Sequence, residues 1–256
     1  MNHCARVEGH CGRCDTPLPF DFTMAFQPIV DVERGQVVAF EALVRGTRGE
    51  SAGQILGQVD EKLLYRFDQA CRVKAIELAS RLGMREKLSI NFLPNAVYEP
   101  AACIQATLDA ARRVDWPIER INFEIVESEA VSDRAHLKRI VDSYREMGFS
   151  TALDDFGAGH SNLDLLTEMR LDTLKLDRQL IMQIDRDPRR QAMVRAVVAM
   201  AAELDCQLIA EGIETLAEAR WLKRAGVVRQ QGYFFARPEL EALPVVPAAR
   251  FVDTQA

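Results

Sequence analysis

Residues Ser150 to Asn162 read STALDDFGAGHSN, with two adjacent carboxylates, Asp154 and Asp155, at the end of a short apolar run and Gly157 and Gly159 just beyond, around Ala158. A strand that ends in paired acids and enters a glycine-bearing loop has the chemistry to bind a cation and a phosphate together. Other short apolar runs carry polar residues of the same kind. They are Glu41 in QVVAFEALV, Asn91 in KLSINFL, Glu124 in RINFEIV, Lys175 in TLKL, Glu211 after QLIA, and Gln231 in the last run.

Each of these has a plainer reading when taken alone. An Asp or Asn after a strand is more often a turn former or a helix cap, and Asp155 or Ser161 would cap the helix that follows. Lys175 in a strand would pair with a neighbouring acid. The plain reading has to be repeated at seven successive strands, however, and burying so many unpaired polar groups would be strongly destabilising. Together they favour a metal site. Glu41, Glu124, Asp154, Asp155 and Glu211 with the amide oxygen of Asn91 are hard oxygen donors, and no His or Cys is suitably placed among them. Such a set suits Mg²⁺ or Mn²⁺ rather than zinc. Asp154 is placed to bridge two ions, the usual arrangement for attacking a phosphodiester.

The elements that must position these residues follow from the hydrophobic period. Phe22 to Val30 and Gln36 to Val44 are β-prone runs joined by five residues, which can link antiparallel neighbours but not parallel ones. The chain then alternates helix and strand. Helices are expected at Leu63 to Leu82, Ala101 to Arg113, Arg134 to Met147, Asn162 to Met169, Arg189 to Leu204 and Leu216 to Arg224. Strands are expected at Lys87 to Leu93, Arg120 to Val126, Ser150 to Asp154, Thr173 to Leu176, Gln207 to Ala210 and Gln230 to Phe235. The hairpin followed by parallel strands gives eight strands, read as a modified (β/α)8 barrel with its first strand antiparallel. An open doubly wound sheet would show a glycine-rich phosphate turn after its first strand, and none is present. In a barrel, the polar residues above gather at the C-terminal ends of the strands.

Length and composition agree with this. The 256 residues are 48% hydrophobic and 27% charged, enough for one full-sized core, and one barrel domain over 21–247 is expected between tails at 1–20 and 248–256. The net charge of -6 argues against non-specific nucleic-acid binding. No apolar leader or spanning run is visible, and a cytoplasmic protein without membrane association is expected. Of six cysteines, Cys71, Cys103 and Cys206 fall in helix or strand patterns as small hydrophobes, which fits a reducing compartment. Cys4, Cys11 and Cys14, with His3 and His10, cluster in the first twenty residues. They read as a thiol-bearing tail; the alternative is a zinc or redox site, and hence a sensor.

The motifs together resemble the EAL domain, the family of cyclic di-GMP phosphodiesterases. They are Gln27-Pro28-Ile29, Glu41-Ala42-Leu43-Val44-Arg45, Asn91, Glu124-Ile125-Val126-Glu127, Asp154-Asp155-Phe156-Gly157, Lys175-Leu176-Asp177, Ala210-Glu211-Gly212-Ile213-Glu214-Thr215 and Gln231-Gly232-Tyr233, spread from about Phe22 to Pro238. The resemblance implies that Glu41, Asn91, Glu124 and Asp154 hold one metal and that Asp154 and Asp155 reach a second. It also implies that Glu211 is a metal-site carboxylate and general base, that Lys175 holds the attacking water, and that Gln231 completes the shell. Gln27, Leu43, Arg45 and Pro238 match substrate-contacting positions, with Arg45 at a phosphate. Glu127 matches the anchor of the loop from Phe156 to Asn162, which in the family links metal binding to a dimer interface, so a homodimer is expected.

The implied reaction is in-line attack by metal-bound hydroxide on one phosphodiester of cyclic di-GMP, opening the ring to linear pGpG, with two Mg²⁺ or Mn²⁺ ions. Ala158 stands where the family commonly has Thr, and His160 where Tyr is frequent; His160 reads as an exposed loop residue. Two alternatives stay open: a cyclic di-GMP receptor or partner-binding module without hydrolysis, and a barrel enzyme acting on another phosphodiester.

Overall fold

The computed structural model describes residues 17–97, 99–125, 133–158 and 163–255. The expected sites at Glu127, Gly159 and His160, and at the cysteines Cys4, Cys11 and Cys14, lie outside the described residues.

Strands β1 (Thr23–Asp31) and β2 (Gln36–Arg45) form the opening hairpin, with Glu41 opposite Gln27 and Arg45 opposite Thr23. The connection is tight because Asp31 turns its side chain onto it: Oδ1 accepts from the amides of Glu33 (3.0 Å) and Arg34 (2.9 Å). Gly35 closes the turn at φ +67°, a left-handed conformation that glycine adopts freely.

Parallel strands follow: β3 (Lys87–Phe92), β4 (Ile121–Ile125), β5 (Ser150–Phe156), β6 (Thr173–Leu176), β7 (Gln207–Ala210) and β8 (Arg229–Gln230). β8 pairs antiparallel with β1, and β1 pairs with β2, so eight strands close into a barrel with β1 reversed. This is the expected fold class. A ninth strand, β9 (Glu239–Leu240), adds to the open side of β1.

The helices are α1 (Ala52–Leu56), α2 (Glu61–Arg81), α3 (Pro100–Cys103), α4 (Gln105–Arg113), α5 (Arg134–Glu146), α6 (Leu163–Glu168), α7 (Arg178–Ile181), α8 (Pro188–Glu203), α9 (Leu216–Arg224) and α10 (Ala248–Gln255). Their starts are capped by side chains the sequence supplies. Asp60 accepts from two amides of α2, Asp187 from two of α8, and Thr215 with Glu218 forms a reciprocal capping box on α9. The hydrophobic core lies between the barrel wall and this helical layer. Phe92, Phe123 and Tyr144 surround the fully buried Arg72, which pairs with Asp68 at 2.7 Å, and Phe149 stacks on Phe123 and Tyr144.

Three details differ from the sequence reading. The expected helix from Ala101 to Arg113 is split into α3 and α4. The expected last strand, Gln230 to Phe235, keeps only Arg229–Gln230, because after Gln231 the chain folds back through a turn in which the amides of Phe235 and Ala236 reach the Gly232 carbonyl. The C-terminal residues form α10, held by Arg220 on the Asp253 carbonyl and by Arg250 over the Phe234 ring. Cys103 is buried, whereas Cys71 and Cys206 are half-buried, and none of the three is in a disulfide. Among the described residues no helix is long and apolar enough to cross a membrane.

Candidate active site

Side chains alternate along a strand, so every second residue of β2 to β7 points into the barrel. That rule delivers Glu41, Asn91, Glu124, Asp154 and Lys175 to the interior near the C-terminal mouth. Glu211 and Gln231 lie one residue past β7 and β8 and complete the ring.

Lys175 is at the centre. Its Nζ lies 2.6 Å from Glu124 Oε2, 2.6 Å from Glu211 Oε1, 3.0 Å from Asp154 Oδ1 and 3.5 Å from Glu41 Oε2. The amides sit on the flank. Asn91 Nδ2 donates to Glu41 Oε1 (2.9 Å), and Gln231 Nε2 donates to Glu41 Oε2 (2.8 Å) and to Gln27 Oε1 (3.3 Å). Gln27 in turn donates to the Ala236 carbonyl at 3.3 Å.

Asp155 joins this group by a local backbone irregularity. It has φ +56°, and the β5–β6 register slips between Leu153 and Phe156. The bulge turns Asp155 to the same side as Asp154, whose Oδ1 accepts the Asp155 amide at 3.0 Å.

The mouth holds a cavity of about 330 Å³ lined by Gln27, Glu41, Asp154, Asp155, Glu211 and Gln231. Glu124 and Lys175 form its buried floor. Asp177, Arg178, Glu214 and Tyr233 also line it and were given no role in the sequence reading. Alternation held a signal for Asp177, which stands two residues beyond Lys175. Its side chain instead caps α7.

The expected substrate positions Leu43, Arg45 and Pro238 do not line the cavity. Leu43 and Arg45 pair with Ala25 and Thr23 beyond the Glu41–Gln27 rung, and Pro238 immediately precedes β9, which pairs with Ala25. All three therefore gather on one edge of the mouth. Arg45 donates to the Val44 carbonyl (2.7 Å) and is half-buried.

The electrostatics of the site are dominated by an excess of acid: Glu41, Glu124, Asp154 and Glu211 face one ammonium, with Asp155 alongside. Burial pushes the Glu124 carboxyl up to about 8, and neighbouring Glu41 and Asp154 add to this against the pull of Lys175. Burial likewise holds Glu211 well above the usual carboxylate range. Asp155 is pushed up to about 6 by burial and then by Asp154 and Asp177. Burial alone would lower the Lys175 ammonium, but Asp154, Glu124, Glu211 and Glu41 outweigh it and hold it above its ordinary value. The ring is short of positive charge.

Two acid triads have oxygens within 4.8 Å of one another: Glu41, Glu124 and Asp154, and Asp154, Asp155 and Glu211. Asp154 belongs to both. Gln231 Oε1 is buried with no hydrogen-bond partner. An acid-rich ring of hard oxygens with an orphaned amide oxygen beside it fits divalent cations.

Comparison with known proteins agrees with this architecture. The E. coli K12 blue light- and temperature-regulated antirepressor BluF is 30% identical over 223 residues, covering 87% of this chain and 55% of BluF. The Pseudomonas aeruginosa cyclic di-GMP phosphodiesterase NbdA is 29% identical over 241 residues, covering 89% of this chain and 30% of NbdA. The chain thus spans about half or less of these curated relatives. A standalone EAL protein of Vibrio cholerae O395, solved in its c-di-GMP-bound form, superposes with a TM-score of 0.89 at 50% identity, covering 91% of this chain and 99% of that one. The model of the EAL domain matches residues 20–238, and the chain belongs to the EAL domain family.

Proposed function

We propose that this chain is a phosphodiesterase that hydrolyses cyclic di-GMP to linear pGpG with Mg²⁺ or Mn²⁺ as cofactor. The observation that carries the reading is the Lys175 ammonium set within 3.5 Å of four carboxylates from four different strand ends, beside Asp155. A receptor needs complementarity to the nucleotide, whereas this ring concentrates negative charge that repels it. Such a ring is explicable as a cation site serving a reaction at phosphorus. The phosphodiesterase NbdA and the c-di-GMP-bound Vibrio protein support the substrate class.

Bound divalent cations would acidify water and withdraw charge from phosphorus. Glu41, Asn91, Glu124 and Asp154 would hold one, and Asp154 with Asp155 would reach another. Gln231 would complete the shell through the oxygen that lacks a partner.

The chain's own residues then have distinct tasks. Lys175, locked among acids, orients the attacking water and offsets charge developing at phosphorus. Glu211 lines the cavity beside the Lys175 ammonium and accepts the proton that water gives up. Gln27, Leu43, Arg45 and Pro238 hold the nucleotide along one edge of the mouth, with Arg45 against a phosphate. By the family resemblance Glu127, outside the described residues, would anchor the loop after β5 and couple the site to a homodimer contact.

The test is hydrolysis of cyclic di-GMP by the purified protein with Mg²⁺ or Mn²⁺, with products separated by chromatography. Conversion to pGpG that is lost in Glu41→Ala and Glu211→Ala is the expected result. Tight nucleotide binding with no turnover would replace this reading with that of a receptor.

A further inference from the structure

The barrel has a second polar mouth. At the N-terminal ends of the strands, opposite the acid ring, a cavity of about 420 Å³ is lined by Lys87, Ser89, Asn122, Asp172 and Arg229, among others. It is larger than the cavity at the active-site end. The interior residues that would fill a barrel here are small, with Ala39 and Ala152 beside Ser89, and among the described residues the apolar plug is Ile29, Ala39 and Ile209 with Val38 packed against it. Small side chains leave space that a barrel otherwise fills with branched aliphatics.

We propose that this cavity binds a phosphate group, either as the free ion or as the end of a small organic molecule. Two independent observations point to an anion that carries its own hydrogen-bond donor. The first is charge. Lys87 donates to Ser150 Oγ (3.1 Å) and Arg229 to the Gln207 side chain, and among the described residues neither has a carboxylate within ion-pair distance. The nearby acids are engaged elsewhere: Asp31, opposite Arg229 across the β1–β8 pairing, takes the amides of Glu33 and Arg34 and faces Arg34 (3.7 Å), Asp172 takes the Thr151 amide (2.8 Å) and faces Arg145 (3.5 Å), and Asp205 pairs with Arg170 at 3.2 Å. Arg229 is half-buried, and burial lowers its guanidinium from the ordinary value, against the pull of Asp31. A half-buried cation with no acid in direct ion-pair contact is short of a counter-ion.

The second observation is Asn122, 6% exposed, with its Oδ1 unpartnered. Its NH₂ group is committed, to Ser89 Oγ at 3.0 Å and to Glu124 Oε1 at 3.4 Å. Those two contacts set which way the amide faces, so Asn122 lines the cavity with its buried oxygen left unclaimed. A bare anion cannot satisfy that acceptor. A monoprotonated phosphate can, because its P–OH donates to Asn122 while its charged oxygens meet Lys87 and Arg229.

Asn122 also touches the acid ring through Glu124, so occupancy of this mouth reaches the floor of the other. That contact gives the site a route to bias the active site without sharing its cavity.

The experiment is calorimetric titration of the full chain in EDTA, which keeps phosphate from being held through divalent cations at the acid ring. The two arms are inorganic phosphate and ribose 5-phosphate, at matched ionic strength against chloride. Saturable binding in either arm that weakens at least tenfold in both Arg229→Gln and Asn122→Leu is expected. The arm that binds tells a free ion from a phosphate end group. Absence of saturable binding in both arms, or binding unchanged by Arg229→Gln, would overturn the proposal. Arg229 is at the rim and its variant keeps the test decisive if Asn122→Leu does not fold. The readout is binding without metal or cyclic dinucleotide, so it stands or falls separately from the phosphodiesterase reading.

Discussion

Asp154 and Asp155 are consecutive residues of one strand, yet both carboxylates open into the same cavity. A regular strand would send them to opposite faces. The left-handed backbone at Asp155, φ +56°, removes the alternation for one step, and the slipped pairing with β6 records it. Asp is among the few residues apart from glycine that adopt this conformation readily. Its backbone tolerance and its carboxylate are therefore both in use at one position.

Two substitutions at Asp155 separate those uses. Asp155→Asn keeps a residue that tolerates left-handed backbone and removes a carboxylate that costs stability when ionised, so metal-free stability to urea at pH 7 should equal or exceed the parent's while Mn²⁺ affinity and hydrolysis of cyclic di-GMP fall about 100-fold. Asp155→Val removes both the charge and the tolerance, and should lose about 1–2 kcal/mol of stability besides. Equal stability of the two variants would show that the bulge is not set by residue 155.

The metal-free protein should become less stable as the solution turns alkaline. Asp155, at about 6, and Glu124, at about 8, both lie above their ordinary values of 3.8 and 4.5. The folded chain therefore binds more protons than the unfolded chain, and stability falls with rising pH. The loss runs from about pH 4 to 6 for Asp155 and from about pH 4.5 to 8 for Glu124. Thermal unfolding in EDTA should show Tm dropping between pH 5 and 8. Saturating Mn²⁺ should flatten the profile, since it supplies the missing positive charge and binds only the folded site. A Tm that rises over this interval in EDTA would contradict the charge balance described here.

Most of the barrel was legible because its strands obey period two and its helices begin at visible caps. Glu41, Asn91, Glu124, Asp154 and Lys175 could be assembled from sequence because each is the inward residue near the end of a strand. Asn122 could have been found by the same rule, two residues before Glu124. What alternation cannot deliver is a departure from itself, which is why the geometry that unites Asp154 and Asp155 required coordinates. The last strand misled for a different reason. Tyr233, Phe234 and Phe235 are good strand formers, but after Gly232 the chain turns back on itself, a long-range packing event that local preference does not encode.

Gly232 should be intolerant of any side chain. A Cβ there would lie 2.2 Å from the Ile213 carbonyl oxygen and 2.3 Å from its nitrogen, both backbone atoms that cannot rotate away. The same segment holds the hydrogen bonds from the Ile213 amide to Gln231 (3.1 Å) and from the Phe234 amide to Ile213 (3.0 Å). Gly232→Ala should cost about 3 kcal/mol through overpacking and the loss of one or both bonds. It should also move Gln231 off Glu41, so chemical denaturation and Mn²⁺ titration are expected to change together.

Lys175 carries the largest stability consequence of any single side chain in the site. Its ammonium is fully buried and its four neighbours are carboxylates, so removing the charge leaves acids facing one another in a water-poor ring. Breaking a buried ion pair from one side typically costs about 3–5 kcal/mol. Lys175→Met keeps the length of the stem and deletes only the charge, so cavity formation contributes little to the result. The variant should be destabilised by about that amount in EDTA, and part of the loss should return with Mn²⁺, because a divalent ion can replace the missing charge among the same oxygens. Activity should stay absent even in the metal-restored protein, since the group proposed to orient water is gone. Urea denaturation with and without Mn²⁺, alongside product chromatography, separates the two effects. A variant as stable as the parent in EDTA would mean that the carboxylates are protonated rather than paired, and would shift the role of Lys175 from holding the ring together to chemistry alone.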